Sequence, residues 1–139
     1  MSFVLDASVT VAWFFEDERT PAIDRLLARL AEQSAIVPTV WKLEVASAFQ
    51  AAIRRGRIDR VFRDAALEHL SEFMIEVDAE TPTHAWSVTL GLADRHGLTP
   101  YDAAYLELSV RRDLPLATLD TALQRAAAAS GIEVLGMSS

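Results

Sequence analysis

A chain of 139 residues, 51% hydrophobic and carrying a formal charge of −7, has the apolar content for one packed domain over residues 1–139 rather than a disordered segment. Without cysteine it builds neither a disulfide framework nor a thiolate metal site, and its acidity is poor for passive nucleic-acid binding driven by counterion release. No apolar run approaches the roughly 20 residues of a membrane span, and the opening Ser2-Phe3-Val4-Leu5-Asp6 lacks the basic start of a signal peptide, so a soluble, cytoplasmic protein with no membrane partner is expected.

Phe3-Val4-Leu5 reads as a short buried strand that ends at Asp6. Ser8 is placed to cap a helix reaching Phe15, and the acidic turn Glu16-Asp17-Glu18 comes next. Thr20-Pro21, a cap followed by proline at the first helical position, opens a second helix to about Glu32. The same signal recurs at Thr81-Pro82 and Thr99-Pro100. A strand at Ala35-Ile36-Val37 ends at Pro38, and Thr39 is the expected cap of a third helix that runs to Arg55 and stops at Gly56. A fourth helix is expected from Ile58 to Phe73 and a strand at Ile75-Glu76-Val77. A fifth helix, Pro82 to His96, is closed by Gly97, and a sixth runs from Pro100 to Arg112. Strand Pro115-Leu116-Ala117-Thr118 delivers Asp120 to a seventh helix, and Ile132-Glu133-Val134-Leu135 makes a last strand. Short, buried, apolar strands joined by helical crossovers mean a parallel sheet with helices on both faces. The fold class is α/β, a three-layer α/β/α sandwich. Trp41, Trp86 and part of Trp13-Phe14-Phe15 are expected in its core.

Four acids fall at strand ends or in the first turns of the helices after them: Asp6, Glu44, Asp102 and Asp120. That is where an open parallel sheet places its ligands. Taken singly, three have ordinary explanations. Asp6 suits a turn, Asp120 an N-cap, and Asp102 sits behind Thr99 in a capping-box pattern. Glu44 does not, because it lies past reach of a cap on the margin of the stripe Trp41, Val45, Ala48, Phe49 and Ala52. Two carboxylates about 4 Å apart at an effective dielectric near 20 repel by about 4 kcal/mol, so a cluster of four would take up protons or a cation. Oxygen ligands favour Mg²⁺. Zinc is disfavoured, since His69, His84 and His96 have no helical pairing. Ser8 and Thr118 stand beside Asp6 and Asp120 and could support them through their hydroxyls.

Positive charge is uneven. Arg54, Arg55, Arg57, Arg60 and Arg63 crowd five of the 13 basic residues into one short window. Arg54, Arg55 and Arg57 read either as a solvated helix terminus or as candidate contacts for a nucleic-acid phosphate backbone. At 1.5 Å per residue Arg54 and Arg55 lie about 15 Å or more beyond Glu44, a spacing suited to flanking nucleotides rather than a reacting phosphate. No nucleophile elbow, phosphate-cradling glycine loop or dinucleotide fingerprint is present.

The segments Val4-Leu5-Asp6-Ala7-Ser8, Trp41-Lys42-Leu43-Glu44-Val45-Ala46, Thr99-Pro100-Tyr101-Asp102-Ala103-Ala104-Tyr105-Leu106 and Pro115-Leu116-Ala117-Thr118-Leu119-Asp120 together resemble the PIN-domain family and its VapC toxin branch. The resemblance covers nearly the whole chain. It implies a Mg²⁺- or Mn²⁺-dependent endoribonuclease toxin whose acidic quartet is Asp6, Glu44, Asp102 and Asp120, with Thr118 as the hydroxyl beside the last acid. It implies products with 5′-phosphate and 3′-hydroxyl ends, a homodimer, and neutralisation by a VapB-type antitoxin. DNA would be bound only through that antitoxin, and an antitoxin arginine among the acids would compete with the metal. Ser47 departs from the pattern, where many relatives have Asn. Two other readings remain open: a catalytically silent PIN-like scaffold that binds RNA or protein, and aspartyl-phosphate chemistry. Against the second, Asp6-Ala7-Ser8 lacks a second Asp and Lys42 is the only lysine.

Overall fold

Three consecutive residues with no exposed surface, Phe3, Val4 and Leu5, fit only a strand covered on both faces, and β1 (Phe3–Leu5) is the central strand of the sheet. The computed structural model describes residues 2–137. β1 pairs in parallel with β2 (Ala35–Val37), Phe3 against Ala35, and with β4 (Leu116–Ala117), Val4 against Leu116. β3 (Ile75–Val77) lies beyond β2 and β5 (Val134–Leu135) beyond β4, giving a parallel sheet in the order β3-β2-β1-β4-β5.

The helices are α1 (Ala7–Ala12), α2 (Pro21–Glu32), α3 (Trp41–Arg54), α4 (Arg60–Leu70), α5 (Thr81–His84), α6 (Leu90–His96), α7 (Pro100–Arg112) and α8 (Thr121–Ala129). From β1 the chain steps outward to β2 and β3, then returns to the other side of β1 for β4 and β5. Right-handed crossovers therefore put α1–α4 on one face and α5–α8 on the other, and α1 packs on α3 while α7 packs on α8. This is the expected three-layer α/β/α sandwich. The direction of strand addition reverses between β1 and β4, and the crevice outside their carboxyl ends is where such sheets take ligands.

Local chemistry fixes the site-bearing helices. Thr20 and Thr99 cap α2 and α7, their hydroxyls accepting from the N–H groups of Ile23 and Asp102. The buried Trp41 indole donates to Thr10 Oγ1 at 3.1 Å, which pins the start of α3 to α1. On α7, Arg111 donates to both carboxylate oxygens of Glu107 and of Asp78, with closest contacts of 2.6 Å, and reaches Glu80 at 3.5 Å. That single guanidinium ties α7 to the end of β3 and the start of α5.

Six sequence expectations are corrected. Ser8 does not cap α1, because its hydroxyl is taken by Asp6. Thr39 does not cap α3; Val40 holds the N-cap position, and the Thr39 N–H donates to Thr81 Oγ1 instead. Thr81 lies inside α5 with its hydroxyl donated to Asp78, and Glu80 holds the N-cap position. The first helix ends at Ala12 rather than Phe15, and Glu16–Glu18 turns as a 3-10 helix. Trp86 is 91% exposed, on a π-helical turn (Ala85–Thr89) that joins α5 to α6. Its aromatic type suggests burial, but this turn sets the side chain on the solvent side. The strands are also less uniformly buried than expected. β3, at the sheet edge, leaves Glu76 and Val77 exposed.

Candidate functional site

Asp6 is the first residue past β1, and its backbone N–H still obeys the sheet pattern, donating to Ala117 O at 3.0 Å. It holds the N-cap position of α1 but makes no capping bond with its side chain. The carboxylate instead accepts from Thr118 Oγ1 at 2.6 Å and Ser8 Oγ at 2.8 Å, and both hydroxyls converge on the same oxygen, Oδ2. Each hydroxyl is itself fixed by a backbone donor, Asp120 N–H to Thr118 Oγ1 and Leu119 N–H to Ser8 Oγ, both at 3.1 Å. The loop after β4 thereby orients Asp6 across the β1–β4 crevice, with Oδ1 left outside this arrangement.

Asp120 does act as an N-cap. Its Oδ1 accepts from Leu123 N–H at 3.1 Å. Asp102 lies in the first turn of α7, where its N–H is capped by Thr99. Glu44, half-buried near the start of α3, accepts at Oε1 from the Tyr105 hydroxyl at 2.5 Å. Tyr105 is a site residue that sequence reasoning quoted only as part of a motif. The available signal was its spacing three residues after Asp102, which places both on one face of α7.

The four acids act on one another. Burial raises Asp6 above its ordinary value, and the charge of Asp120 raises it further despite the donors from Thr118, Ser8 and the Ala7 backbone. Burial also raises Glu44, with added repulsion from Asp6 and Asp102 against the help of Tyr105. Asp102 is raised by burial and then by Asp6 and Asp120. Burial, and then the negative charge of Asp6, push the Tyr105 phenol well above its ordinary range, so it stays a proton donor. None of the four acids pairs with an Arg, Lys or His among the described residues.

As they stand, no three His, Asp or Glu side chains among the described residues are set to hold a metal ion. The structure brings the four acids into one electrostatic cluster without closing them on a common point. Asp6 and Glu44 are held by hydroxyls and Asp120 is engaged as a cap. In kind, the donors fit a hard divalent cation: carboxylate oxygens only, desolvated and destabilised by their own like charges.

Of the arginines, Arg54 and Arg55 lie exposed at the end of α3. Arg57 is engaged elsewhere, pairing with Asp17 and Glu18 at 2.9 and 3.0 Å and stacking over Phe15. Ser47 is exposed on α3.

Known proteins share this sequence pattern and this fold. The PIN-domain family model matches residues 3–129. Ribonuclease VapC3 of Pyrobaculum aerophilum is 30% identical over 123 residues, 88% of this chain and 92% of the relative. Among solved structures, PAE2754 from Pyrobaculum aerophilum superposes with a TM-score of 0.66 at 24% identity, over 91% of this chain and 87% of that one. FitAcB from Neisseria gonorrhoeae gives 0.64 at 17%, over 97% and 96%. VapBC2 from Rickettsia felis, bound to a DNA fragment from their promoter, gives 0.63 at 14%, over 96% and 97%. At these identities the structural likenesses speak for the fold alone. The family model and the VapC3 relative each run through nearly all of the sequence that carries the four acids, and the chain belongs to the PIN-domain family.

Proposed function

We propose that this chain is a Mg²⁺- or Mn²⁺-dependent endoribonuclease, the toxin of a toxin–antitoxin pair. One observation carries the reading. Four carboxylates share an electrostatic cluster at the sheet's switch point, three of them pushed toward protonation, and no cation of the described chain compensates them. The likeness to Ribonuclease VapC3 supports the substrate.

Asp6, Asp102 and Asp120 would hold the ion, with Glu44 completing the shell or orienting the attacking water. When bound, the ion neutralises charge growing on the phosphoryl oxygens and makes a nearby water more acidic. Glu44, raised by burial, is a better proton acceptor than a solvated glutamate. Water oxygen bonds to phosphorus in line as the bond to O3′ breaks. The water proton passes to Glu44 and O3′ takes a proton from solvent, leaving a 5′-phosphate and a 3′-hydroxyl. Thr118 and Ser8 keep Asp6 oriented throughout. Arg54 and Arg55, exposed at the end of α3, would contact flanking phosphates. A cytoplasmic homodimer neutralised by a VapB-type antitoxin, through which DNA would be reached, completes the reading.

The test is cleavage of structured RNAs with Mn²⁺ by wild type, Asp6→Asn and Asp102→Asn. Metal-dependent cutting by wild type that disappears in both variants is expected; cutting that survives in both rejects the assignment. A silent RNA- or protein-binding scaffold is the second reading, favoured by the acids not being closed on a common point. Calorimetry showing no Mn²⁺ binding at millimolar concentration would select it.

A further inference from the structure

The Tyr105 phenol has no task in the proposed hydrolysis. Its ring has no exposed surface, yet its hydroxyl does not turn back into the core. It spans 61 positions of sequence to donate to Glu44 Oε1. One face of α7 therefore carries an acid of the cluster, Asp102, and one turn later the phenol that anchors a different acid on α3. Asp6 shows the same pattern with other residues: Thr118 and Ser8 both occupy its Oδ2. Thr118, with no exposed surface, is more deeply buried than the acid it holds, at 6% exposure. In both cases a buried hydroxyl fixes one carboxylate oxygen and leaves its twin.

We infer that Tyr105 is a positioning residue that clamps Glu44 by Oε1, so that this acid offers a divalent ion one oxygen only and the site is biased toward small six-coordinate ions and against Ca²⁺. Mg²⁺ and Mn²⁺ accept single oxygens from several carboxylates and fill the remaining positions with water. Ca²⁺ takes six to eight oxygens, commonly including a two-oxygen carboxylate. Clamping also spares the bound state the entropy of ordering a glutamate with three rotatable bonds. The inference rests on the metal-dependent reading of the site.

Calorimetric titration of Mn²⁺ and Ca²⁺ into purified wild type, Tyr105→Phe, Glu44→Ala and the double variant tests it, with near-UV circular dichroism as the check on packing. Tyr105→Phe should weaken Mn²⁺ binding by about tenfold, the low end for groups that orient metal ligands, while Ca²⁺ loses less, so that the Mn²⁺/Ca²⁺ affinity ratio narrows. The double variant should bind Mn²⁺ no more weakly than Glu44→Ala alone. An unchanged ratio in well-folded Tyr105→Phe overturns the proposal. So does an equal Mn²⁺ loss from Tyr105→Phe with and without Glu44, which would mean that the phenol acts through packing. If Tyr105→Phe does not fold, Glu44→Asp carries the test by withdrawing the carboxylate from the phenol without touching the core. A narrowed ratio there supports the clamp and a wild-type ratio overturns it. Wild type that binds no Mn²⁺ removes the metal reading and the clamp together; wild type that binds, with an unaltered ratio in the variants, removes the clamp alone.

Discussion

Around Arg111 and at the carboxyl ends of β1 and β4, the molecule gathers acids in two different ways. Asp78, Glu80 and Glu107 share one guanidinium. Burial alone would raise Asp78, but the hydrogen bonds and charge of Arg111, with Thr81, outweigh it and hold the carboxyl below its ordinary value. Asp6, Glu44 and Asp102 receive hydroxyl and backbone donors but no cation, and all three are raised. Both clusters lie past strand ends of one sheet. A neutral donor orients a carboxylate, yet only a positive charge makes its ionisation favourable in a desolvated place. The first cluster is complete within the chain. The second is left in deficit, with no cation of the described chain to offset it.

The comparison is broken most severely at its self-sufficient end. Arg111→Ala strands Glu107 and Asp78, both nearly fully buried, and should cost about 3–5 kcal/mol, read from urea denaturation. Asp6→Asn should do the reverse. RNA cleavage falls at least about a hundredfold, a loss of roughly 3 kcal/mol of transition-state stabilisation, while the melting temperature of the metal-free protein holds or rises because a buried charge has gone. Adding Mn²⁺ should stabilise wild type by about 2.7 kcal/mol at a hundredfold excess over its dissociation constant, and Asp6→Asn by much less.

Acidity sharpens the contrast further. Asp6, Glu44 and Asp102 bind protons more tightly in the folded chain than in the unfolded one. From about pH 4 up through their raised values, the folded state therefore carries more protons, and stability falls as pH rises across that window. Asp78 runs the other way: its contribution is complete above the ordinary carboxyl range and is lost as pH falls through its depressed value. Metal-free protein should melt higher at mildly acidic than at neutral pH, and Mn²⁺ should flatten that slope by favouring the ionised acids. Scanning calorimetry at several pH values, with and without Mn²⁺, reads both. The smallest effect is expected at the surface, where Arg57→Ala removes exposed pairs with Asp17 and Glu18 for less than about 1 kcal/mol.

Much of the scaffold was written in local pattern. β1 and β2 are continuous apolar runs, and Thr20-Pro21 and Thr99-Pro100 carry helix starts whose hydroxyls do cap. Ser8, Thr39 and Thr81 offer a capping hydroxyl and do not cap: the Ser8 and Thr81 hydroxyls are donated to carboxylates two and three residues back and accept from the distant Leu119 and Thr39 N–H groups. Ser8 serves Asp6 and the loop after β4, and Thr81 serves Asp78. A capping preference of about 1 kcal/mol does not survive competition with a buried carboxylate needing donors. Trp86 was misplaced for a different reason: a large aromatic side chain suggests burial, yet it stands almost fully exposed. The four acids were legible by joint placement at strand ends. The partners that orient them were less so, since the Tyr105–Glu44 and Thr118–Asp6 bonds join residues 61 and 112 positions apart. The Arg111 network offered only its Glu107 spacing as a clue.

The bond from Thr118 to Asp6 closes almost the entire length of the chain. During synthesis, which delivers the N-terminal portion first, Asp6, Glu44 and Asp102 all emerge before β4 exists to pair with β1. Until Leu116 and Ala117 take their places, Asp6 lacks its Thr118 lock and the fourth acid has not been made. The four-acid cluster therefore cannot assemble until the stretch from Leu116 to Asp120 has been made, and a chain cut short before it lacks both the lock on Asp6 and the fourth acid.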